Sequence, residues 1–192
     1  MAPDMMVGLS QELTDDQLKI FGEKFADYPV FGAVLGAKDD LNREAVAAAD
    51  PQIIIDTGEA KKDTGESLDA LQEHLGIPCV FIEAKLEDYG AAYKNLGELL
   101  GMEQRGNELS EYCTQAYKKV ADTMATIPEA QRVNVAYLLG DNGLNAIAKT
   151  SFQGQVIDMV ANNVVVVDDV SGKGNGNEIS LEQIALWDPE LI

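Results

Sequence analysis

Short apolar runs alternate with amphipathic segments along the chain, a pattern typical of parallel βα units. The predicted strands cover residues 5–9, 53–55, 78–82, 133–139 and 164–167, and residues 189–192 resemble the start of another. The predicted helices cover residues 14–26, 41–49, 64–75, 88–100, 103–126, 151–161 and 180–187. Thr14 opens the first of these helices as a capping box with Gln17.

The stretch 103–126 is predicted to be one unusually long helix. Its apolar positions, from Leu109 to Met124, recur every three or four residues, and at 1.5 Å per residue its length is about 36 Å. Pro128 ends it, and a second βα run follows. We therefore predict an α/β protein with an N-terminal βα lobe at 1–101, a lobe-bridging helix at 102–127 and a C-terminal βα lobe at 128–192.

The net charge of the chain disfavours two classes of binding partner. The 192 residues include 33 acidic and 14 basic side chains, a net charge of −19. Such a surface repels the phosphates of nucleic acids and anionic membranes, so we expect neither partner.

No apolar run approaches the length of a membrane span, and the first residues predict no export signal. Cys79 and Cys113 are expected to be buried thiols.

The sequence matches none of the motifs for catalysis or metal binding that we considered. The Gly-rich loop at 171–177 does not fit the Walker pattern, since Gly174 follows Lys173. A calcium loop that starts at Asp168 or Asp169 also fails, because no Glu lies at its twelfth position. His74 is the only histidine and lies on a predicted helix without further metal ligands nearby in the sequence. We therefore expect no catalytic residues, no metal site and no cofactor.

Ligands of open α/β layers bind outside the carboxyl ends of the strands. Two facing lobes would form a cleft from those loops, and their polar side chains are the candidate ligand contacts. The candidates are Thr57, Glu83, Asp141, Asn142, Lys149, Ser151 and Asn175.

Four segments resemble one family. These are LNREAV at 41–46 followed by DPQIII at 50–55, LGIPCV at 75–80, LGELLG at 96–101, and EISLEQI at 178–184 followed by WDPELI at 187–192. In order and spacing they are similar to the helical-backbone substrate-binding proteins of ABC transporters. That family captures ferric siderophores, haem, vitamin B12 and, in some branches, molybdate.

The resemblance implies two Rossmann-like lobes joined by a long helix. It also implies an acidic residue on each lobe that docks onto arginines of the permease, here Glu66 and Glu182. Members are secreted or lipid-anchored, so we expect an exported, periplasmic or cell-surface lipoprotein that acts as a monomer. The family's first strand and helix before Met5 and its closing elements after Ile192 are missing, so we expect a truncated second lobe.

The alternative function is a Rossmann-like, two-lobe nucleotide-dependent transferase. It requires a phosphate-binding glycine turn directly after a strand. Residues 56–58 and 140–143 are the only positions that could supply one.

Overall fold

The computed structural model describes residues 1–33, 41–171 and 174–192. The helices are α1 (Asp15–Phe21), α2 (Arg43–Ala49), α3 (Thr64–Leu75), α4 (Tyr89–Leu99), α5 (Glu103–Ala125), α6 (Gln155–Val160) and α7 (Leu181–Trp187). The strands are β1 (Ile54–Gly58), β2 (Cys79–Glu83), β3 (Asn134–Val135), β4 (Leu138–Leu139), β5 (Asn145–Ala146), β6 (Asn162–Asn163) and β7 (Asn177–Glu178). Parts of the predicted loop before α2 and of the Gly-rich loop lie outside the described residues.

The chain divides into two compact units. Unit 1 comprises Met1–Ala84 and Lys94–Gly106, and unit 2 comprises Lys85–Tyr93 and Asn107–Ile192. The predicted domain boundaries after residues 101 and 127 stay a prediction.

The first predicted strand, at 5–9, is wrong. Residues Pro3–Met5 form a 3-10 turn, and Leu9 makes only an isolated parallel bridge to Val30. Proline fixes the backbone at the start of this segment and leaves it without an amide donor. The capping box that begins α1 is confirmed, because the Thr14 hydroxyl accepts from the Gln17 N–H and the Gln17 side chain accepts from the Thr14 N–H.

The parallel βα unit at the centre of unit 1 is confirmed. β1 pairs with β2 in parallel from Ile54↔Cys79 to Gly58↔Glu83. α3, which has the predicted bounds, connects them and buries Leu68 and Leu71. β1 runs further than predicted, however: residues 56–58 continue the ladder instead of forming a turn.

The long helix is confirmed as one continuous element. α5 has 23 residues, and α4 precedes it across a tight turn in which the Met102 N–H donates to the Gly97 carbonyl at 2.7 Å. Gly101 makes this turn with a φ of +64°, a conformation that glycine adopts without strain.

Unit 2 differs most from the prediction. The single strand expected at 133–139 is split into β3, which pairs in parallel with β6, and β4, which begins an antiparallel sheet in the order β4–β5–β7. Uniform parallel pairing was therefore the wrong expectation for this part of the chain. The short apolar runs fit either arrangement, because they carry no signal for strand direction.

The strand predicted at 164–167 is also wrong. The Val165 N–H donates to the Asn163 side chain, and the Val166 N–H donates to the Val164 carbonyl. These local bonds turn the backbone, so β6 ends at Asn163. The helix predicted from residue 151 begins only at Gln155, because Thr150 adopts a left-handed φ of +68° and a turn follows it.

The core of unit 2 is small and aliphatic. Its buried residues are Ala136, Ala146, Ala148, Val165 and Ile179. α7 covers this cluster with Ile184 and Trp187. Ser180 caps α7 and forms a capping box with Gln183. The α/β class predicted from the sequence is thus confirmed, although several strands differ.

Candidate functional site

The carboxyl end of the β1–β2 pair carries two predicted ligand residues. Thr57 is exposed, and it lies one residue before the Gly58↔Glu83 pair that ends the ladder. Both carboxylate oxygens of Glu83 lie 3.4 Å from the Ala60 N–H, so the side chain turns back over the loop that follows β1. A hydroxyl and a carboxylate thus share one edge of unit 1.

Asp56 belongs to the same edge, although the sequence analysis did not name it as a site residue. Burial raises the pKa of its carboxyl above the ordinary value, while a hydrogen bond from the Thr57 N–H and the charge of Lys61 act in the opposite direction. A partly desolvated carboxylate beside a candidate ligand residue is a common feature of binding sites. Its position directly after an isoleucine run was the only signal in the sequence.

Asp141 and Asn142 occupy the turn between β4 and β5. The Gly143 N–H donates to the Gly140 carbonyl at 3.1 Å, and both glycines have positive φ. Asp141 and Asn142 are exposed at the tip of this turn. This is a turn between antiparallel strands, not a link between a strand and a helix.

Lys149 and Ser151 belong to a tight turn after β5. The Lys149 N–H donates to the Val165 carbonyl, and its side chain is exposed. The Ser151 hydroxyl donates to the Ala148 carbonyl at 2.7 Å and accepts from the Gly154 N–H at 3.0 Å. Ser151 is buried, and its only hydroxyl proton is already donated within the turn.

Asp158 supports this turn from α6. Its Oδ2 accepts from the Thr150 N–H at 2.8 Å, which holds Thr150 in its left-handed conformation. This carboxylate therefore shapes the backbone beside Lys149. The sequence pattern gave no sign of this role, because Asp158 lies eight positions from the residue whose amide it binds.

Asn175 is exposed in the loop before β7. Asn177 holds that loop: its amide donates to the Asp169 carbonyl at 2.7 Å and its oxygen accepts from the Ser171 N–H at 3.0 Å. Gly176, between Asn175 and Asn177, packs tightly: a Cβ added there would lie 2.5 Å from the Ala146 carbonyl oxygen. Asn177 thus positions the candidate contact Asn175, although the sequence analysis did not name Asn177 as a site residue.

The antiparallel register separates the candidates of unit 2. β5 pairs Asn145 with Glu178 and Ala146 with Asn177. The turn at 140–143 therefore lies at one end of this sheet, while residues 147–151 and 174–176 lie at the other. Lys149, Ser151 and Asn175 share one end, and Asp141 and Asn142 share the opposite end.

The two predicted docking acids each lie in the first turn of a helix. Glu66 lies in the first turn of α3 and Glu182 in the first turn of α7, and both side chains are exposed. Hydrogen bonds from its own backbone N–H and from the Ser180 hydroxyl lower the pKa of the Glu182 carboxyl. Glu182 is therefore held in its charged form.

No three His, Cys, Asp or Glu side chains in the described ranges converge as a metal site. None of the helices found there combines the length and the apolar character that crossing a bilayer requires.

Comparison with known families identifies the class. The family model for periplasmic binding proteins matches residues 3–192, so this chain belongs to that family. The resemblance read from four sequence segments is thereby confirmed. No curated protein matches the chain.

Solved structures agree on the fold. An ABC transporter solute binding protein from Sulfurospirillum deleyianum is 26% identical with a TM-score of 0.85, and the match covers 96% of this chain and 58% of that one. A periplasmic heme binding protein from Pseudomonas aeruginosa is 25% identical with a TM-score of 0.60, covering 87% and 57%. The periplasmic vitamin B12 binding protein of Vibrio cholerae shares the fold at 15% identity and a TM-score of 0.66, covering 86% and 60%. The chain thus spans less than two thirds of the length of these proteins.

Proposed function

We propose that this chain is the solute-binding component of an ABC importer, which captures an iron-siderophore or a related metal chelate and delivers it to a permease. Haem, cobalamin and the oxyanion molybdate are the other ligands that the proposal includes. The match to the periplasmic binding protein family over residues 3–192 carries the proposal. The solute-binding, haem-binding and vitamin B12-binding proteins of the same fold support it.

The proposed role is binding without chemistry, so we do not propose an enzyme. In unit 1 the ligand contacts are Thr57 and Glu83, with Asp56 behind them. In unit 2 they are Lys149 and Asn175, held by the turn of Ser151 and by Asn177, together with Asp141 and Asn142 at the other end of the sheet. Exposed hydroxyl, carboxylate, amide and ammonium groups on short turns can bind the polar rim of a chelate.

Glu66 and Glu182 are proposed to dock on the permease. Each is exposed in the first turn of a helix, where the helix dipole favours its negative charge. A carboxylate in this position meets a partner's arginine through charge-assisted hydrogen bonds. We further propose that the protein is exported, periplasmic or anchored to the cell surface by lipid, and that it acts as a monomer.

The nucleotide-dependent transferase is not supported. Residues 56–58 lie inside β1, so they form no glycine turn between a strand and a helix. The turn at 140–143 joins antiparallel strands, and no helix begins behind it to bind a phosphate.

Thermal unfolding of the purified chain in the presence of a ligand panel tests the proposed function. The panel contains a ferric hydroxamate, a ferric catecholate, haem, cyanocobalamin and molybdate, with ATP and a nucleotide sugar as controls. A ligand present at one hundred times its Kd stabilises the folded state by about 2.7 kcal/mol, a shift of several degrees. A shift with one chelate supports the proposal, and a shift with a nucleotide alone contradicts it.

A further inference from the structure

Two Asn-Gly pairs occur in the sequence, and both lie in loops of unit 2. Asn142 precedes Gly143 at the tip of the turn between β4 and β5, and Asn175 precedes Gly176 in the loop before β7. Both asparagines are exposed. A glycine has no side chain that hinders the approach of its backbone nitrogen to the preceding asparagine. These pairs are therefore the places where a backbone nitrogen can most easily attack an asparagine side chain.

The backbone amide of the glycine distinguishes the two pairs. In the turn at 140–143 the Gly143 N–H donates to the Gly140 carbonyl at 3.1 Å, which holds this nitrogen in the turn. The Gly176 N–H, by contrast, donates to no acceptor in the described ranges of the chain. The nitrogen of Gly176 can thus react without first losing a hydrogen bond, whereas that of Gly143 cannot.

We propose that Asn175 is a site of spontaneous deamidation, and that Asn142, which also precedes a glycine, is protected by its turn. The Gly176 backbone nitrogen attacks the side-chain carbonyl carbon of Asn175, and the new C–N bond closes a succinimide ring. The bond from that carbon to the side-chain nitrogen breaks, and this nitrogen leaves as ammonia with the proton that Gly176 gives up. Solvent water then adds to either ring carbonyl, and the ring nitrogen takes back a proton as the ring opens. The product at position 175 is aspartate or isoaspartate.

The reaction changes the charge of the loop. The side chain of Asn175 is neutral, whereas either product carries a carboxylate that is ionised at neutral pH. The new charge lies at the end of the sheet that also carries Lys149. If Asn175 contacts the ligand, the amide contact is replaced by a negative charge as the protein ages; this consequence alone rests on the proposed function.

Isoaspartate also lengthens the main chain where the loop has little room. In isoaspartate the chain runs through the side-chain carbons, so one methylene group is added before Gly176. This glycine cannot shift toward β5, because a Cβ built on it would already lie 2.5 Å from the Ala146 carbonyl oxygen. Asn177 fixes the other side by its bonds to the Asp169 carbonyl and the Ser171 N–H. Isoaspartate formation therefore displaces the loop or breaks these bonds, and it should lower the stability of the protein.

The test follows both asparagines in the full chain during incubation in mildly alkaline buffer, in the folded state and in concentrated urea. Peptide mapping by mass spectrometry separates the asparagine, aspartate and isoaspartate forms of each site. Urea removes the turn, so the rate of each site in urea is the reference for its rate in the folded chain. Asn175→Gln blocks the reaction at that site, because ring closure from glutamine is much slower, and Asn142→Gln is the matched control. Circular dichroism checks that both variants are folded.

The proposal expects that, relative to the rates in urea, the folded chain deamidates at Asn175 roughly threefold to tenfold faster than at Asn142, since the hydrogen bond of Gly143 has to break first. After incubation, the wild type and Asn142→Gln should have a lower Tm than Asn175→Gln. Equal relative rates, a faster reaction at Asn142, or a folded chain in which Asn175 does not react overturns the proposal. Equal Tm values of the three incubated proteins overturn the inferred strain in the loop. These measurements involve no ligand, so either result leaves the proposed function intact.

Discussion

Gly97 of α4 packs directly against Gly106 of α5: a Cβ built on Gly97 would lie 2.8 Å from the Gly106 Cα. The Cβ on Gly97 would also lie 3.1 Å from the Met102 carbonyl oxygen. Both neighbours are backbone atoms, which cannot move aside as a flexible side chain can. The close approach of the two helices after the turn therefore requires glycine at position 97.

Gly97→Ala should destabilise the protein by about 1–3 kcal/mol, since overpacking forces a backbone shift and outweighs the better helix propensity of alanine. Gly65→Ala is the matched control, because Gly65 lies in α3 and a methyl group added there would have no neighbouring atom within 4 Å. That control should be neutral or stabilise by up to about 1 kcal/mol. Urea unfolding measures both, and equal stability of the two variants would contradict the packing argument.

Local signals predicted that the helices exist, although α1 ends at Phe21 instead of near residue 26 and α6 begins at Gln155 instead of residue 151. The capping boxes at Thr14 and Ser180 depend on side chains three residues apart, so the sequence contains the whole interaction. The strands of unit 2 were predicted poorly, because their pairing depends on distant residues. Asn163, for example, ends β6 by bonding to the Val165 N–H, which no hydrophobic pattern records.

Ser180→Ala should destabilise the protein by about 1 kcal/mol, because the Gln183 N–H loses its cap. It should also raise the pKa of Glu182 toward its ordinary value, since the Ser180 hydroxyl is one of the groups that lower it. Carbon-detected NMR titration measures the pKa, and urea unfolding measures the stability.

The sign of the pH dependence follows from this lowered pKa. A carboxyl whose pKa is lower in the folded state stabilises that state above its unfolded pKa, and this contribution is lost as the pH falls through the folded pKa. The stability of the wild type should therefore exceed that of Ser180→Ala by more at neutral pH than at about pH 3. Ser10→Ala changes an exposed serine outside the helices, so its stability should equal that of the wild type at either pH.

Thr150→Gly should stabilise the protein by about 1 kcal/mol, because a β-branched residue is strained at a φ of +68° and glycine is not. The gain should be visible as a higher Tm. Lys149→Gly is the neighbouring control, and it should give no gain because Lys149 does not have a positive φ. A higher Tm in Lys149→Gly, or a lower one in Thr150→Gly, would show that the turn is not strained at Thr150.

Asp56→Asn should stabilise the protein at neutral pH, and the gain should vanish under acidic conditions. Burial raises the folded-state pKa of Asp56, so the folded state loses stability as the pH rises from the unfolded pKa through the folded one. Asparagine keeps the oxygen that accepts from the Thr57 N–H but removes the buried charge. Glu59→Gln, at the exposed acid nearby, should change the stability by no more than about 0.5 kcal/mol at either pH.

The candidate site shows the same limit of sequence reasoning as the strands. Thr57 and Glu83 were predicted as ligand contacts because each follows a predicted strand, and the β1–β2 register places both at the carboxyl end of one ladder. The same reasoning failed to separate Asp141 from Lys149, since the sheet that carries them is antiparallel. Asp158 and Asn177 position candidate contacts through bonds to backbone amides and carbonyls, and such bonds leave no trace in residue spacing.

Isothermal titration of the purified chain with the metal chelate selected by the thermal screen tests the central claim most directly. We expect one chelate bound per chain with a Kd in the micromolar range or below, and weaker binding after Thr57→Val or Glu83→Gln. The metal-free ligand and the metal salt alone should bind more weakly than the chelate. A folded chain that binds none of the ferric siderophores, haem, cobalamin or molybdate at millimolar concentration would contradict the proposed role in solute capture.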